Sequence, residues 1–202
     1  MSIELQCCTK KFKKDIILDK INFTIPTGIF QLTGRNGAGK STLLKMITGL
    51  DKDYSGNIIS NKKVILYLNV DPIGVHPFTI RENLEILWNT FNISPSRKQI
   101  TKINDFFDGK LDVSYSKAST GMKAKLGLSL IFVKDWEIIL IDETLSSLDS
   151  RSIEMVAEKL VQIKDKATII YVSHSLVNKH LDDNSSNILI KRGSLLWENT
   201  LS

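Results

Sequence analysis

The first third of the chain alternates short apolar runs with turn-forming residues. Three runs rich in β-branched residues predict β-strands, at Ile3–Cys7, Ile21–Ile25 and Ile29–Leu32. The third run leads into Gly34, beyond which the apolar spacing becomes helical over Lys40–Thr48. This part of the sequence therefore predicts a strand–loop–helix unit that follows two other strands.

Glycines and their neighbours mark the ends of these elements. Gly49 stands where the C-terminus of a helix favours glycine. Pro26-Thr27-Gly28 predicts a turn before the third strand, and Ser55-Gly56-Asn57 predicts another ahead of an apolar strand at Val64–Leu68. We therefore expect the β-rich pattern to continue to Leu68.

Residues 69–125 show helical periodicity instead. Apolar residues recur at three- and four-residue spacing from Leu84 to Phe91 and again from Ile100 to Phe107. Thr79, with Glu82 three residues later, predicts a capping box at the start of the first helix. The segment 69–125 is therefore predicted to be a helical subdomain inserted into an α/β core.

The α/β pattern returns after residue 125. It predicts a strand at Glu137–Ile141, a helix at Ser150–Ile163, a strand at Ala167–Val172, and a strand pair near Ile188–Ile190 and Leu195–Trp197. Strands that alternate with helices imply a mainly parallel sheet. We predict one domain over 1–202, with the α/β core formed by 1–68 and 126–202.

The composition is that of an ordinary globular domain, with 42% hydrophobic and 24% charged residues. Apolar runs such as Ile138–Ile141 are far shorter than the roughly 20 residues of a membrane-spanning helix. The first residues lack the pattern of a signal peptide. We therefore expect a cytoplasmic protein, and we interpret the adjacent Cys7 and Cys8 as unreactive thiols in a reducing compartment.

The chain carries a net charge of +5. Part of the excess lies in two groups of lysines, Lys10, Lys11, Lys13 and Lys14, and Lys117, Lys123 and Lys125. We interpret these groups as solvated faces. Attraction to an anionic nucleotide, to lipid headgroups or to nucleic acid is an open alternative.

The segment Gly34–Ser41 fits the pattern G-x-x-x-x-G-K-[ST] completely. Its glycines allow successive backbone N–H groups to point into one concavity, which a phosphate chain can fill. The helix that opens at Lys40 adds the positive end of its dipole. We expect Lys40 to reach the β- and γ-phosphates and the Ser41 hydroxyl to bind Mg²⁺.

An ATPase with such a loop needs a carboxylate for Mg²⁺ on a neighbouring strand. The apolar run that ends at Ile141 is followed by Asp142 and Glu143. We expect Asp142 to hold Mg²⁺, usually through water, and Glu143 to act on the attacking water as general base. The two motifs together predict an enzyme that binds and hydrolyses ATP.

Taken together, these motifs resemble those of ATP-binding cassette (ABC) ATPases, in their usual order. The resemblance rests on Asn36–Thr42, Asp142-Glu143, Ser146–Asp149 and Ser173-His174, and it extends over essentially the whole chain. It implies an α/β fold of the P-loop NTPase (RecA-like) type. A mainly parallel sheet would be joined by an N-terminal antiparallel β subdomain and an inserted α-helical subdomain.

The family signature Leu-Ser-Gly-Gly-Gln is represented by residues 118–122, Ala-Ser-Thr-Gly-Met. Ser119 and Gly121 match it, while Ala118, Thr120 and Met122 depart from the commonest form. In this family, two cassettes hold two ATP molecules between them head to tail, and each signature contacts the ATP of the other subunit. The resemblance therefore implies a homodimer, or a heterodimer with another ABC ATPase, with Ser119 and Gly121 at the partner's γ-phosphate.

The resemblance also assigns roles to side chains outside the motifs discussed so far. His174 would contact the γ-phosphate and orient Glu143 and the attacking water. Asp149 would bridge the two subunits near the phosphates, and Phe12 would stack on adenine. Nucleotide contacts would further come from Gly34, Asn36, Gly37, Ala38, Gly39, Lys40, Ser41 and Thr42.

One family residue is missing from the sequence. The glutamine that contacts Mg²⁺ and the attacking water would fall at Val70, whose side chain forms no hydrogen bond. Our hypothesis is that Asn69 or Asp71 replaces it, or that Mg²⁺ relies on Ser41, Asp142 and water. In either case the loss of glutamine favours slow hydrolysis.

The predicted function is that of an ATPase subunit that drives a separate transmembrane permease. The chain would lie at the cytoplasmic face of the membrane, and the Gly121-Met122 pair resembles cassettes that export peptide, lipid or drug. Two alternatives remain open: a soluble ABC ATPase that acts on nucleic acid or ribosomes, and a regulatory cassette that hydrolyses ATP weakly. Nucleic acid is not the expected partner, because the chain has no long insertion, no C-x-x-C motif and no second cassette.

Overall fold

The computed structural model describes residues 2–13, 15–61, 64–71, 73–173 and 177–198. The strands in this part of the chain are β1 (Ile3–Phe12), β2 (Asp15–Ile25), β3 (Gly28–Gly34), β4 (Ser55–Ser60), β5 (Ile65–Leu68), β6 (Ile138–Asp142), β7 (Thr168–Val172), β8 (Ser185–Lys191) and β9 (Ser194–Glu198). The helices are α1 (Lys40–Thr48), α2 (Ile80–Thr90), α3 (Arg97–Phe106), α4 (Thr120–Leu128), α5 (Ser150–Ile163) and α6 (Lys179–Asp182).

The larger of the two sheets has the strand order β5-β6-β7-β3-β8-β9. All neighbours from β5 to β8 are parallel, and only the edge strand β9 runs antiparallel to β8. Because parallel strands end at the same edge of a sheet, the C-terminal ends of β3, β6 and β7 lie along one rim. Ligands of open α/β sheets bind at such a rim.

Both faces of this sheet are covered, as the unbroken apolar runs of its central strands require. In β6, Ile139 and Ile141 face a core that includes side chains of α3, α4 and α5. The alternate residues Ile138 and Leu140 face a second core, shared with α1 and the antiparallel sheet. The side chains of β7 alternate between the same two cores. The predicted mainly parallel sheet is therefore present, with helices on both sides.

The smaller sheet has the order β2-β1-β4 and is antiparallel throughout. The turn predicted at Ser55-Gly56-Asn57 was wrong, since these residues begin β4 and pair with β1. Gly56 has a φ of 90°, and a Cβ atom there would overlap the backbone oxygens of Gln6 and Cys7. The glycine therefore permits a close approach of two strands instead of a chain reversal.

Helices α2 and α3 lie where the periodicity predicted helices, and α4 follows them before β6. The capping box at Thr79 is present, with the Glu82 backbone N–H donating to the Thr79 side chain. Ser96 and Gln99 form a second capping box, which the sequence analysis overlooked. The limits 69–125 of the helical subdomain stay a prediction. None of the helices in the described ranges has both the length and the apolarity that a membrane span requires.

Lys10 contradicts the interpretation of the first lysine group as a solvated face. Its side chain is 2% exposed, and its ammonium lies 2.9 Å from Asp51 Oδ1 and 3.3 Å from Asp53 Oδ2. The ammonium also donates to the backbone oxygen of Asp53 at 2.6 Å. The hydrogen bond from Lys10 lowers the pKa of Asp51 below its ordinary value. This ion pair attaches the antiparallel sheet to the segment that follows α1.

Asp51→Asn is expected to destabilise the fold by about 3 kcal/mol, because it leaves the buried Lys10 charge without its best-shielded partner. The matched change Asp53→Asn removes a carboxylate that is 96% exposed and is expected to cost about 0.5 kcal/mol. Free energies of unfolding from urea titrations at pH 7 test this difference. Equal effects of the two substitutions would contradict a buried Lys10–Asp51 pair.

Candidate nucleotide-binding and catalytic site

The loop between β3 and α1 has the backbone geometry that a phosphate cradle needs. Gly34, Gly37 and Gly39 have φ values of 143°, 77° and 101°, all of which lie in the region that favours glycine. The Lys40 ammonium turns back over the loop and donates to the backbone oxygens of Gly34 at 2.8 Å and Arg35 at 3.2 Å. Lys40 is therefore a buried cation held at the mouth of the loop.

A pocket of about 480 Å³ opens beside this loop. It brings together residues from three parts of the chain: Phe12, Ile17, Asn36, Gly37, Gly39, Lys40, Ser41, Thr42 and Glu143. Most of the predicted nucleotide contacts thus share one cavity. Ala38 differs, because its side chain packs against the hydrophobic core.

Phe12 forms the apolar end of this pocket. It is the last residue of β1, its ring is 50% exposed, and the Lys10 ammonium lies 4.9 Å from the ring centroid. Ile17 lines the pocket too, although the sequence analysis did not select it. Ile17 lies outside the predicted strands, and an isolated apolar residue gives no indication of a ligand contact. It reaches the pocket because β2 begins at Asp15 and pairs with β1.

Asp142 and Glu143 lie at the rim of the parallel sheet. Asp142 is 6% exposed, and its Oδ1 atom has no hydrogen-bond partner among the described residues. Glu143 lines the pocket, and its φ of 59° is uncommon for a residue other than glycine. The backbone N–H of Glu143 donates to Val172 at 3.2 Å, which fixes this conformation against β7.

His174 lies outside the described residues, so its contact with the γ-phosphate stays a prediction. The strand before it, β7, ends at Val172 and lies between β6 and β3 in the sheet.

The signature residues lie apart from this pocket, whose lining in the described chain includes neither Ser119 nor Gly121. Ser119 is the N-cap of α4 and accepts a hydrogen bond from the Met122 backbone N–H. Gly121 packs closely: a Cβ atom there would lie 2.8 Å from the backbone oxygen of Ser147. The first turn of α4 thus packs closely against the segment that follows Glu143.

Asp149 is occupied within its own chain. Its carboxylate caps α5 by accepting from the Ser152 backbone N–H at 2.9 Å, and it forms an ion pair with Lys125 at 3.0 Å. Lys125 is buried and also lies 3.7 Å from Asp108, so this lysine does not belong to a solvated face. Burial alone would raise the pKa of Asp149, but the hydrogen bonds from Ser152 and Lys125 lower it to about 2.

The segment at the missing glutamine lies beside α4. Val70 is 63% exposed, and the Asn69 amide donates to the Asp71 carboxylate at 2.8 Å. All three residues line a groove of about 220 Å³ whose other wall includes Thr120, Lys123 and Ala124. The nucleotide pocket contains none of the three in the part of the chain described. Replacement of the glutamine by Asn69 or Asp71 stays a hypothesis.

A glycine-rich loop with a buried lysine shares one pocket with Glu143, the second of two acids that follow a buried strand. This combination defines a P-loop ATPase. The family model described as "ABC transporter" matches residues 18–146. The chain belongs to this family, as an ATP-hydrolysing subunit. It is 31% identical to the zinc import ATP-binding protein ZnuC of Rickettsia conorii, with 96% of this chain and 84% of the relative covered. It is 30% identical to the polysialic acid transport ATP-binding protein KpsT of Escherichia coli, with 86% and 81% covered.

Solved structures confirm the fold. The ATP-binding subunit of an ABC transporter superposes with a TM-score of 0.82 at 22% identity, covering 100% of this chain and 90% of that one. A dimeric ATP-binding cassette in a post-hydrolysis state, bound to ADP and phosphate, gives a TM-score of 0.78 at 21% identity, with 99% of each chain covered. The predicted P-loop NTPase architecture is thus confirmed.

Gly39→Ala is expected to weaken nucleotide binding about 50-fold, or a little over 2 kcal/mol. Its Cβ atom would lie 2.6 Å from Ile17 Cγ2, in addition to the strained φ of 101°. Gly37→Ala is the matched control, since a Cβ atom there meets nothing within 4 Å. We expect that control to lose about 1 kcal/mol from backbone strain alone. Titration with a fluorescent ATP analogue measures both affinities, and equal losses would contradict the steric explanation.

The depressed pKa of Asp149 predicts a pH-dependent contribution to stability. A carboxylate whose folded-state pKa is lowered stabilises the protein above its unfolded pKa of about 4, and the contribution is lost as the pH falls toward 2. Asp149→Asn retains a capping side chain and is expected to cost about 1 kcal/mol at pH 7, a value reduced by solvent screening of the half-exposed carboxylate. Urea titrations between pH 7 and pH 2.5 should show the cost declining with pH. A constant cost would contradict the ion pair with Lys125.

Proposed function

We propose that ATP is held and hydrolysed in the pocket between the Gly34–Ser41 loop and Glu143. The observation that carries this proposal is that Lys40, Ser41 and Glu143 line the same cavity. Lys40 would bind the β- and γ-phosphates, and Phe12 would stack on the adenine. Glu143 would hold the attacking water and accept its proton.

The residues also fit the magnesium ion that accompanies ATP. Asp142 offers a buried carboxylate oxygen without a hydrogen-bond partner in the described structure, and Ser41 offers a hydroxyl in the nucleotide pocket. The described residues contain no cluster of three or more His, Cys, Asp or Glu side chains that would hold a metal alone. The carboxylate of Asp142 and the hydroxyl of Ser41 fit Mg²⁺, which is usually bound through one or two carboxylates plus phosphate and water. When bound, the ion neutralises charge that develops on the phosphates.

We further propose that two cassettes complete two sites head to tail. Ser119 is the N-cap of α4 and is not among the described residues that line its own chain's pocket, so its role at a γ-phosphate requires a second subunit. The dimeric form of the structural neighbour bound to ADP and phosphate supports this arrangement. Homodimer and heterodimer are both compatible with it.

A membrane permease is the proposed partner, with the chain at the cytoplasmic face of the membrane. The segment between β5 and α2 exposes several apolar side chains, Val70, Ile73, Val75 and Phe78. It is held in place by Asn83, a buried residue that donates to the backbone oxygens of Val75 and Thr79 and accepts from the Val75 N–H. An apolar surface held by a buried hydrogen-bond network suits a protein contact. The relatives named as transport ATP-binding proteins support the same partner.

Export of the cargo stays a prediction. The relatives include a Nod factor export ATP-binding protein of Neorhizobium galegae as well as the zinc import ATP-binding protein. A function on nucleic acid is less well supported, since Lys10 and Lys125 are committed to buried ion pairs. Weak hydrolysis keeps the support of one observation, the exposed Val70 at the position of the family glutamine.

Glu143→Gln is expected to reduce ATP turnover at least 100-fold while retaining ATP binding, because the amide keeps the shape of the side chain but accepts no proton. With ATP present, the variant should elute as a dimer in size-exclusion chromatography. Glu158→Gln, on the exposed face of α5, is the matched control and should behave like the unmodified protein. Normal turnover of Glu143→Gln would contradict its role as base. An ATP-bound monomer would contradict the dimer.

A further inference from the structure

The side chain of Tyr67 contacts Asp142, the proposed magnesium ligand. Tyr67 is in β5, next to β6, and the register pairs it with Leu140, two residues before Asp142. Tyr67 and Leu140 pack against the core on the α1 side of the sheet. Diagonal neighbours on one face of a sheet lie within reach of a long aromatic side chain. The Tyr67 hydroxyl accordingly lies 3.3 Å from Asp142 Oδ2 and donates to it.

This contact leaves the two oxygens of Asp142 in different situations. Oδ2 accepts from Tyr67, whereas Oδ1 is buried and has no hydrogen-bond partner among the described residues. A phenol has an ordinary pKa of about 10, so it carries its proton at neutral pH. A protonated phenol is a donor here, and a donor on one oxygen orients a carboxylate so that the other oxygen faces a cation.

The hydrogen bond between Tyr67 and Asp142 gains importance because this chain has Val70 at the position of the family glutamine. Val70 cannot hydrogen-bond through its side chain, and the Asn69 amide is engaged by Asp71. Tyr67 lies three residues before Val70, in β5, and contacts Asp142 from that strand.

We propose that Tyr67 is a positioning residue for the Asp142 carboxylate and supports Mg²⁺ binding in a chain that lacks the glutamine. The inference rests on the proposed role of Asp142 as magnesium ligand. Tyr67 is not among the described residues that line the nucleotide pocket, and its hydroxyl contacts Asp142, so we place its effect on the metal site through Asp142. Loss of its hydroxyl should therefore change the magnesium requirement of nucleotide binding and leave metal-free binding unchanged.

The test is Tyr67→Phe, which removes one oxygen atom and preserves the ring. All variants are made in the Glu143→Gln background, so that binding is measured without turnover. Affinity for a fluorescent ATP analogue is titrated against free Mg²⁺ and, separately, in EDTA. We expect Tyr67→Phe to need about tenfold more Mg²⁺ for half-maximal effect, with an unchanged affinity in EDTA. Tyr54→Phe, which removes a hydroxyl ahead of β4, is the matched control and should match the parent.

Each other outcome overturns the inference in a different way. A Tyr67→Phe curve identical to that of the parent means that the hydroxyl does not act on the metal site. An equal loss with and without Mg²⁺ means that Tyr67 serves the fold alone. Asp142→Asn separates this inference from the proposed function. If the Mg²⁺ dependence of that variant is normal, Asp142 is not the magnesium ligand, and both the proposed magnesium site and the role of Tyr67 are rejected. If only Asp142→Asn alters the Mg²⁺ dependence, the metal assignment stands and the role of Tyr67 is rejected.

Discussion

The parallel pairing of β5, β6, β7, β3 and β8 is the constraint on which the rest of the molecule depends. Because these strands run in one direction, the loop after Gly34 and the acids after Ile141 emerge at the same rim, although more than a hundred residues separate them. Parallel strands also require connections that cross a face of the sheet, so both faces are covered. The site is thus a consequence of strand direction, with the motifs supplying the chemistry.

Local interactions explain which elements were predictable from the sequence. Helix α5 has the predicted bounds, Ser150–Ile163, and the Thr79 capping box forms as expected, since both depend on residues within a few positions of each other. Strand β4 was mistaken for a turn because Gly56 serves a close contact with β1, almost fifty residues earlier. The burial of Lys10 depends on Asp51, which is 41 residues away in the sequence. Contacts between residues so far apart produce no periodic pattern in the sequence, so they could not be predicted from it.

The residues of the candidate site also fall into two groups, those that continuous motifs predicted and those that depend on distant contacts. The sequence pointed to the phosphate loop and to the acidic pair because each motif is a continuous segment with its own chemistry. The structure brings most of the loop residues and Glu143 into one pocket, and their roles stay predictions. Ile17 and Tyr67 were missed, since an apolar or aromatic residue in a strand is first of all a core residue. Only the register between adjacent strands brings each of them to a functional group. Predicting them from the sequence requires that register.

Helix α4 connects Ser119, the signature residue at its N-cap, with the segment that follows Glu143. Gly121 and Lys125, four residues apart and so on one face of α4, contact Ser147 and Asp149 in the segment after Glu143. The first contact tolerates no side chain, and the second is an ion pair whose lysine is buried. In the proposed dimer, Ser119 serves the partner's ATP while Glu143 serves its own. The helix that follows Ser119 is therefore packed directly on the segment that follows Glu143.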